Sequence, residues 1–408
     1  MRKLGILHIV CIICLPVFTL AQGYKINLQG QKSQGMGGAG IALPQDGSAV
    51  FFNPGSVSFL KENSIDMSVS PVLYRGKYED AASGDISKTN APTTFVPSGY
   101  AVFGNPQSRL RYGIGVYVPY GSTMQWDPGW TGRFVLTKLQ LFSLYIQPTI
   151  SYKITDELGF GAGLIYAHGH VDIRKDIPVL SQQGDYGNAK LTGNSSNWGY
   201  NLGLYYKPCA DFSLGLTYLS KVSAQVKNGD ANFTVPASLS SSFPSGKFSA
   251  SLPLPWVLGL GVAYKPIPKL SLALDLNYIG FSSYDTLGFN YATTTPALQN
   301  TRSPRDYKNA IGLRLGGQYA VKKNLDVRAG IGYNRTPIKD GYVTPELPDA
   351  NRLFYTVGLG YRFDEHWSTD LSFLYEPFKR TDTNLENQMS GTYHSHIFVP
   401  GIAISYKF

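Results

Sequence analysis

The last eight residues, 401–408, alternate strictly between two kinds of side chain. Successive side chains of a strand point to opposite faces, so one face here is apolar and the other is small or polar. The apolar face holds Ile402, Ile404, Tyr406 and Phe408, and the other face holds Ala403, Ser405 and Lys407. Apolar-out and polar-in is the pattern of a transmembrane β-barrel strand. The ending predicts an all-β protein of the bacterial outer membrane, with Phe408 presented to the barrel-assembly machinery.

The amino terminus predicts a secretory signal peptide over residues 1–21. The basic pair Arg2-Lys3 precedes an apolar stretch over residues 4–18, and cleavage is expected near Ala21. The stretch is too short for a transmembrane helix. Two of the 3 cysteines lie in this leader, so Cys209 stands alone and no intrachain disulfide is expected.

A recurring pair, tyrosine followed by a basic residue, marks strand ends and so allows the number of strands to be predicted. It closes alternating strands at Tyr152-Lys153, Tyr206-Lys207, Tyr264-Lys265, Tyr361-Arg362 and Tyr406-Lys407. Short turns are expected near residues 104–109, 153–157, 207–211, 265–269, 321–324 and 362–366. With a first strand near residues 64–74 and the last strand, these turns predict a transmembrane antiparallel barrel of about 14 strands over residues 63–408.

Residues 22–62 do not alternate like a strand, and yet they carry many apolar side chains. The set is Tyr24, Ile26, Leu28, Met36, Ile41, Val50, Phe51, Phe52, Val57, Phe59 and Leu60. A periplasmic tail, which is the alternative, would be polar, whereas these side chains need burial. The lumen of the barrel offers that burial, so we expect the segment to form an N-terminal plug, or hatch.

Several motifs resemble those of the FadL-type long-chain fatty acid and hydrocarbon transporters. Gly23-Tyr24 and Asn53-Pro54-Gly55 are similar to that family's hatch, with Asn-Pro-Gly where Asn-Pro-Ala is usual. The stretches 117–121, 130–134 and 252–265 also match, whereas the loops do not match closely. The resemblance spans the mature chain and implies a barrel with an N-terminal hatch that takes up hydrophobic molecules.

Two inward-facing arginines are candidates for holding an anionic ligand head. Side-chain parity against Ile311, Leu313 and Leu315 points Arg314 into the lumen, and the same argument selects Arg111 as the second candidate. A salt bridge to lumen acids or a contact with the hatch is the alternative for both.

The third strand, near residues 109–120, carries features of a break in the wall. Gly113 and Gly115 lie on its lumen face, and Pro119 and Gly121 stand at its end. Glycine removes packing, and proline cannot donate to the strand ladder. A gap here would let an apolar molecule leave sideways into the bilayer, and it resembles the inward kink of the third strand in the FadL family. An ordinary strand end with a turn is the alternative.

The remaining chemistry favours transport over catalysis. The pairs His168/His170 and His394/His396 lack evident further ligands, and no motif fixes a catalytic triad, so no metal, cofactor or enzyme activity is expected.

The 36 basic and 27 acidic residues are scattered, which argues against a nucleic-acid face and favours contact with outer-membrane lipid and lipopolysaccharide. We expect passive uptake of long-chain fatty acids or aromatic hydrocarbons through an apolar lumen pocket, hatch movement and lateral release. A general diffusion porin for small polar solutes is the alternative.

Overall fold

The structure is a computed structural model, and it describes residues 23–105 and 107–408. The predicted signal peptide, residues 1–21, lies outside this part of the chain. Within the described part, no helix is long and apolar enough to cross a membrane.

Short helices lead into a long series of strands. The helices are α1 (Gln31–Gly35), α2 (Ala49–Phe52), and three 3-10 helices at Pro54–Phe59, Ala237–Leu239 and Phe281–Ser283. The strands are β1 (Ser64–Asp80), β2 (Ile86–Lys88), β3 (Thr94–Phe103), β4 (Leu110–Gln125), β5 (Lys138–Lys153), β6 (Leu158–Leu180), β7 (Tyr186–Cys209), β8 (Phe212–Leu219), β9 (Val222–Thr234), β10 (Gly246–Leu254), β11 (Val257–Ile267), β12 (Leu270–Ile279), β13 (Thr286–Tyr291), β14 (Thr301–Pro304), β15 (Ala310–Lys322), β16 (Leu325–Asn334), β17 (Arg352–Arg362), β18 (Trp367–Thr383) and β19 (Ser390–Lys407).

All the strands belong to one antiparallel sheet that closes on itself. The first strand, β1, pairs with β3 on one side and with β19 on the other, from Ser64 opposite Lys407 to Asp80 opposite Gly391. Four strands of the barrel are interrupted, and each of these is made of two consecutive strands: β8 with β9, β10 with β11, β12 with β13, and β14 with β15. With β2 as a short addition in a loop, the wall is a closed barrel of 14 strands, which confirms the predicted fold class.

The six predicted short turns all lie between consecutive strands. They join β3 to β4, β5 to β6, β7 to β8, β11 to β12, β15 to β16, and β17 to β18. Side-chain parity also follows the prediction, because Ile402 and Ile404 are 44% and 52% exposed while Ala403 and Ser405 are buried. Exposed aromatic side chains flank the apolar belt on both sides. Near the short turns these are Tyr112, Tyr152, Tyr206, Tyr264, Tyr319, Tyr361 and Trp367, and near the long loops Trp198, Tyr200, Tyr278 and Tyr355.

Residues 23–62, which we call the hatch segment, pack against the inward-facing side of the strands. Met36, Val50 and Val57 of this segment are fully buried. Inward-facing glycines of the wall permit the close approach: a Cβ atom at Gly161 would lie 2.2 Å from the carbonyl oxygen of Pro54. The exact bounds of hatch and barrel, 22–62 and 63–408, stay a prediction.

Asn53 organises the turn at the centre of the hatch segment. Its side-chain oxygen accepts the Gly55 N–H at 3.0 Å and so caps the 3-10 helix that begins at Pro54. Its side-chain amide donates to the carbonyls of Ile41 and Leu204, both at 2.9 Å. One buried side chain therefore ties two parts of the hatch segment to β7.

Candidate functional site

The ladder between β3 and β4 is interrupted. It ends at the pair Ser98 and Tyr117, although both strands continue toward the long loops. The two sides meet again farther up, where Thr89 forms a β-bridge with Trp126. The wall therefore contains a window, which has the Ser98–Tyr117 pair at its lower edge and the Thr89–Trp126 bridge at its upper edge.

Local sequence explains why the ladder stops. One extra residue stands on β4 between Tyr117 and Tyr120, where the register with β5 shifts, and this bulge includes Pro119. Pro119 has no N–H to donate, and Pro97 on the facing strand has none either. Each border of the window therefore lacks a main-chain hydrogen-bond donor that strand pairing would need.

The hatch segment occupies the edge of β4 that β3 leaves unpaired. The N–H of Ile26 donates to the carbonyl oxygen of Pro119 at 2.8 Å, and the N–H of Gly121 donates to the carbonyl oxygen of Tyr24 at 3.0 Å. Lys25 lies between these two bonds in an antiparallel bridge with Tyr120. Residues 24–26 therefore act as a short inner strand behind the window.

A cavity of about 570 Å³, which we call the wall cavity, lies at the window. Its lining is mostly apolar and includes outward-facing Phe95, which is 65% exposed, and inward-facing Val96, Phe354 and Val399. The lining therefore includes side chains from both faces of the wall. Its volume is in the range of small-molecule sites.

A second cavity of about 390 Å³, which we call the outer cavity, lies toward the long loops. Ile173, Leu191 and Phe248 contribute to its apolar lining. Leu141 and Phe142 line both cavities, so the two spaces are neighbours. Both cavities have a largely apolar lining.

The acidic and basic groups at the edge of the wall cavity form an ion-pair network. Arg352 contacts Glu376 at 2.6 Å between Nη1 and Oε1, and it also pairs with Asp349. Asp349 in turn accepts the N–H of Gly23 at 3.0 Å, so this ion-pair network also holds the start of the hatch segment.

Lys25 brings a cationic group to the wall cavity. It lines this cavity and a smaller one of about 40 Å³ that also borders Arg314. Its Nζ donates to the side-chain oxygen of Asn27. Burial, together with the nearby Arg314 guanidinium, lowers the pKa of Lys25 to about 7. The sequence analysis did not single out this residue, although a lysine that alternates with Tyr24, Ile26 and Leu28 was a usable signal.

Arg314 faces the lumen as predicted and is 1% exposed. Its guanidinium lies over the ring of Phe354, 5.1 Å from the centroid, and Phe354 is part of the wall cavity. Asp275 stands opposite Arg314 on the neighbouring strand. Arg314 therefore contacts a residue that lines the wall cavity, and its role as a ligand contact stays a prediction.

Arg111 also faces inward, but it lies elsewhere. Its guanidinium donates to the carbonyl oxygens of Leu60 and Glu62 at 2.9 and 2.8 Å and to the side chain of Asn63 at 3.0 Å. It lines neither the wall cavity nor the outer cavity. These donors fix the end of the hatch segment, which is the alternative considered for Arg111, and its role as a ligand contact stays a prediction.

Gly113 and Gly115 are not at the break in the wall. They stand opposite Val102 and Tyr100 in the intact ladder with β3. A Cβ atom at Gly113 would lie 2.5 Å from Cγ2 of Val50, so these glycines make room for the hatch segment. Of the four residues expected at a lateral opening, Pro119 and Gly121 lie at the window and the two glycines lie below it.

Buried polar groups of the wall hold the Gly-rich part of the hatch segment. Asp275, which is 1% exposed, accepts the N–H groups of Gly40 and Ile41 at 2.7 and 3.0 Å. Thr356 accepts the Gly37 N–H at 2.8 Å and donates to the Gly35 carbonyl at 3.1 Å. Their partners are more than 200 residues away in sequence, which is why sequence reasoning did not find these anchors.

The histidine pairs contact polar groups on neighbouring strands. His168 and His170 lie within hydrogen-bond distance of Ser196 and Asn194. In residues 23–105 and 107–408, no group of three or more His, Cys, Asp or Glu side chains is arranged to hold a metal ion.

A closed antiparallel barrel with an apolar outer belt, an internal segment and apolar cavities defines the protein as an outer-membrane β-barrel. The chain belongs to the family described as outer membrane protein transport protein (OMPP1/FadL/TodX), whose model matches residues 12–408.

Individual relatives are distant in sequence. The long-chain fatty acid transport protein of Escherichia coli O6:H1 is 23% identical over 322 residues, 71% of each chain. Among solved structures, a FadL homologue of Pseudomonas aeruginosa has a TM-score of 0.83 at 21% identity, covering 95% of this chain and 100% of its own. The toluene transporter TbuX of Ralstonia pickettii has a TM-score of 0.72 at 16% identity, covering 93% and 98%. These structures share the fold of this chain.

Proposed function

We propose that the protein takes up hydrophobic molecules, either long-chain fatty acids or aromatic hydrocarbons, and releases them sideways through the window. The observation that carries the proposal is the wall cavity, which is apolar and is lined by residues of both faces of the wall. The names of two relatives, a long-chain fatty acid transport protein and a toluene transporter, agree with these two ligand classes.

The physical reason for such a route is the hydrophobic effect. Burial of each methylene group stabilises a bound acyl chain by about 0.8 kcal/mol. Release into the hydrocarbon layer keeps that chain out of water, whereas release into the periplasm would expose it. An apolar ligand therefore gains from a path that goes from the outer cavity to the wall cavity and then to lipid.

The hatch segment is the part that must move in this mechanism. Residues 24–26 occupy the β4 edge directly behind the window, and Tyr24 also donates from its hydroxyl to the Pro253 carbonyl at 2.5 Å. A displacement of these residues would join the lumen to the window. Lys25 and Arg314 then stand where a carboxylate head would be held, while a neutral hydrocarbon would need neither.

Ligand extraction tests the proposal most directly. Mass spectrometry of the purified protein should find fatty acid or hydrocarbon in about stoichiometric amount, and cells producing the protein should accumulate labelled oleate or toluene. Liposomes should not swell readily in sugar solutions. A protein that carries no such ligand and lets sugars pass would instead support the alternative, a general diffusion porin.

Deletion of residues 23–55 tests whether this segment closes the lumen. This deletion should raise single-channel conductance, because the packed segment fills the lumen. Unchanged conductance would refute the assignment of this segment as the hatch.

A further inference from the structure

We infer that the outer wall of β18, β19, β1 and β2 carries a binding site for a phosphorylated glycolipid headgroup of the outer leaflet. Four cationic or ionisable side chains stand in one row across these neighbouring strands. Lys379 is opposite His394, His394 is opposite Lys77, and Lys77 is opposite Lys88. We call this set the basic row.

The basic row faces outward. On β18, Lys379 shares its face with Leu371 and Phe373, which are 44% and 42% exposed to the surroundings of the barrel. The same parity relates His394 to Ile402 on β19, and Lys77 to Met67 on β1. The row therefore continues the lipid-facing surface and does not belong to the lumen.

The height of the row matches the level of lipid headgroups. Twelve residues separate Trp367, near the short turn, from Lys379 on the same strand. At a rise of about 3.3 Å per residue and a tilt of about 40°, this is roughly 30 Å along the barrel axis. The apolar belt of such barrels is about 25 Å tall, so the row stands just above its outer edge.

The charges of the row have few partners in the protein. Among residues 23–105 and 107–408, no carboxylate forms an ion pair with Lys77, Lys88 or Lys379, and the nearest acidic contact of the row is Glu79, 3.9 Å from Nε2 of His394. A second outward row, Lys138 and Arg174, contrasts with this one, because Asp172 pairs with both at 3.2 and 2.8 Å.

An array of adjacent like charges is unfavourable unless an anion lies beside it. Across four strands at about 4.8 Å spacing, the row is roughly 14 Å long. That length suits a headgroup with more than one phosphate, and the aromatic and aliphatic surface below it, including Tyr375 and Phe398, suits the acyl chains. Anionic lipid headgroups and basic side chains at this depth attract one another.

Binding of lipid A by the purified full-length protein in detergent tests this site. Native mass spectrometry should find bisphosphorylated lipid A bound, and dephosphorylated lipid A with the same acyl chains bound about tenfold more weakly. The triple variant Lys77→Gln, Lys88→Gln, Lys379→Gln should lose that preference, and the corresponding arginine variant should keep it.

The matched control removes three exposed charges at the short turns, by Lys265→Gln, Lys269→Gln and Lys323→Gln, and should bind like the wild type. Equal binding of the two lipids by the wild type would overturn the inference. An equal loss of lipid A binding in the glutamine variant of the basic row and in the short-turn control would also overturn it. Displacement of lipid A by millimolar inorganic phosphate alone would also overturn it, because the site would then hold free phosphate. Heat-modifiable mobility on gels shows that each variant is folded.

Discussion

The N–H of Ile26 donates to the carbonyl oxygen of Pro119 across 2.8 Å, on the edge of β4 that β3 leaves unpaired. One hydrogen-bonding edge therefore serves two parts of the molecule. It completes the wall only in its lower half, and in its upper half it binds the hatch segment. The same few residues of β4, 119–121, therefore border the window and bind the hatch segment.

A covalent bridge across the window should block transport. In a Cys209→Ser background, a short thiol cross-linker between Val96→Cys and Val118→Cys would span the wall cavity that both residues line. Uptake of oleate should fall at least tenfold while equilibrium binding persists, because entry from the loops stays open.

The matched control places the same linker at Ala101→Cys and Ile114→Cys, which are paired in the intact ladder. Transport at the wild-type rate through a completely cross-linked window would rule out lateral exit at this place.

Lys25 should make fatty acid binding depend on pH. Its pKa is lowered to about 7, so without ligand the amine is charged below that pH and neutral above it. A carboxylate stabilises the charged form, and affinity for oleate should therefore fall about tenfold from pH 6 to pH 8, whereas affinity for toluene should stay constant. The other charged groups beside the two cavities that Lys25 lines are Arg314, Asp275 and the Arg352 ion-pair network.

Calorimetric titration of Lys25→Met checks this prediction, with Lys61→Met as an exposed control on the same segment. The pH dependence should vanish in the first variant and persist in the second. The free energy of unfolding should also rise with pH between about 7 and 10.5 through Lys25, because the unfolded chain retains the proton in that window.

Arg314→Ala should weaken oleate binding about tenfold and leave toluene binding within about twofold, because only the acid presents a charge to the guanidinium. Fluorescence displacement with both ligands measures this difference. Arg314→Lys keeps the charge and should recover most of the affinity for oleate. Equal losses for oleate and toluene would show that Arg314 acts only by packing on Phe354.

Asp275→Ala should loosen the hatch segment. The change leaves the buried N–H groups of Gly40 and Ile41 without their acceptor, which costs about 1–3 kcal/mol for each group. Hydrogen exchange at residues 36–42 should accelerate at least tenfold, and Asp275→Asn, which retains one acceptor oxygen, should give an intermediate rate. Unaltered exchange in the alanine variant would contradict this role.

Arg111→Ala should affect stability and spare ligand binding. Its loss removes three hydrogen bonds that hold residues 60–63, so the free energy of unfolding should fall by about 2 kcal/mol. Urea titration in lipid vesicles measures this change. Oleate affinity should stay within about twofold of the wild type, and a larger loss would instead support Arg111 as a ligand residue.

Local pattern was enough to predict the wall. The two-residue period placed Arg314 and Arg111 in the lumen and Ile402 toward lipid, because facing direction depends only on parity along one strand. The short turns followed from the same pattern. None of this requires knowledge of which distant residues meet.

Nonlocal contacts account for what the sequence could not reveal. Glycine on an inward face fits either a gap or the close approach of another segment, and only the position of Val50 decides between them for Gly113. Likewise, the partners of Arg111 lie about 50 residues away on the hatch segment. A sequence pattern identifies the inward-facing donor but not the carbonyl that accepts from it.

The shared edge of β4 has a thermodynamic consequence for the ligand. If a molecule in the wall cavity favours the state in which residues 24–26 have left Pro119 and Gly121, then that state must bind the molecule more tightly by the same factor. Two main-chain bonds lost there set a free-energy threshold that the ligand has to exceed. Under the proposed mechanism, long chains, which bury more surface than short ones, would exceed this threshold more easily, and the strength of the inner strand would select ligands by length.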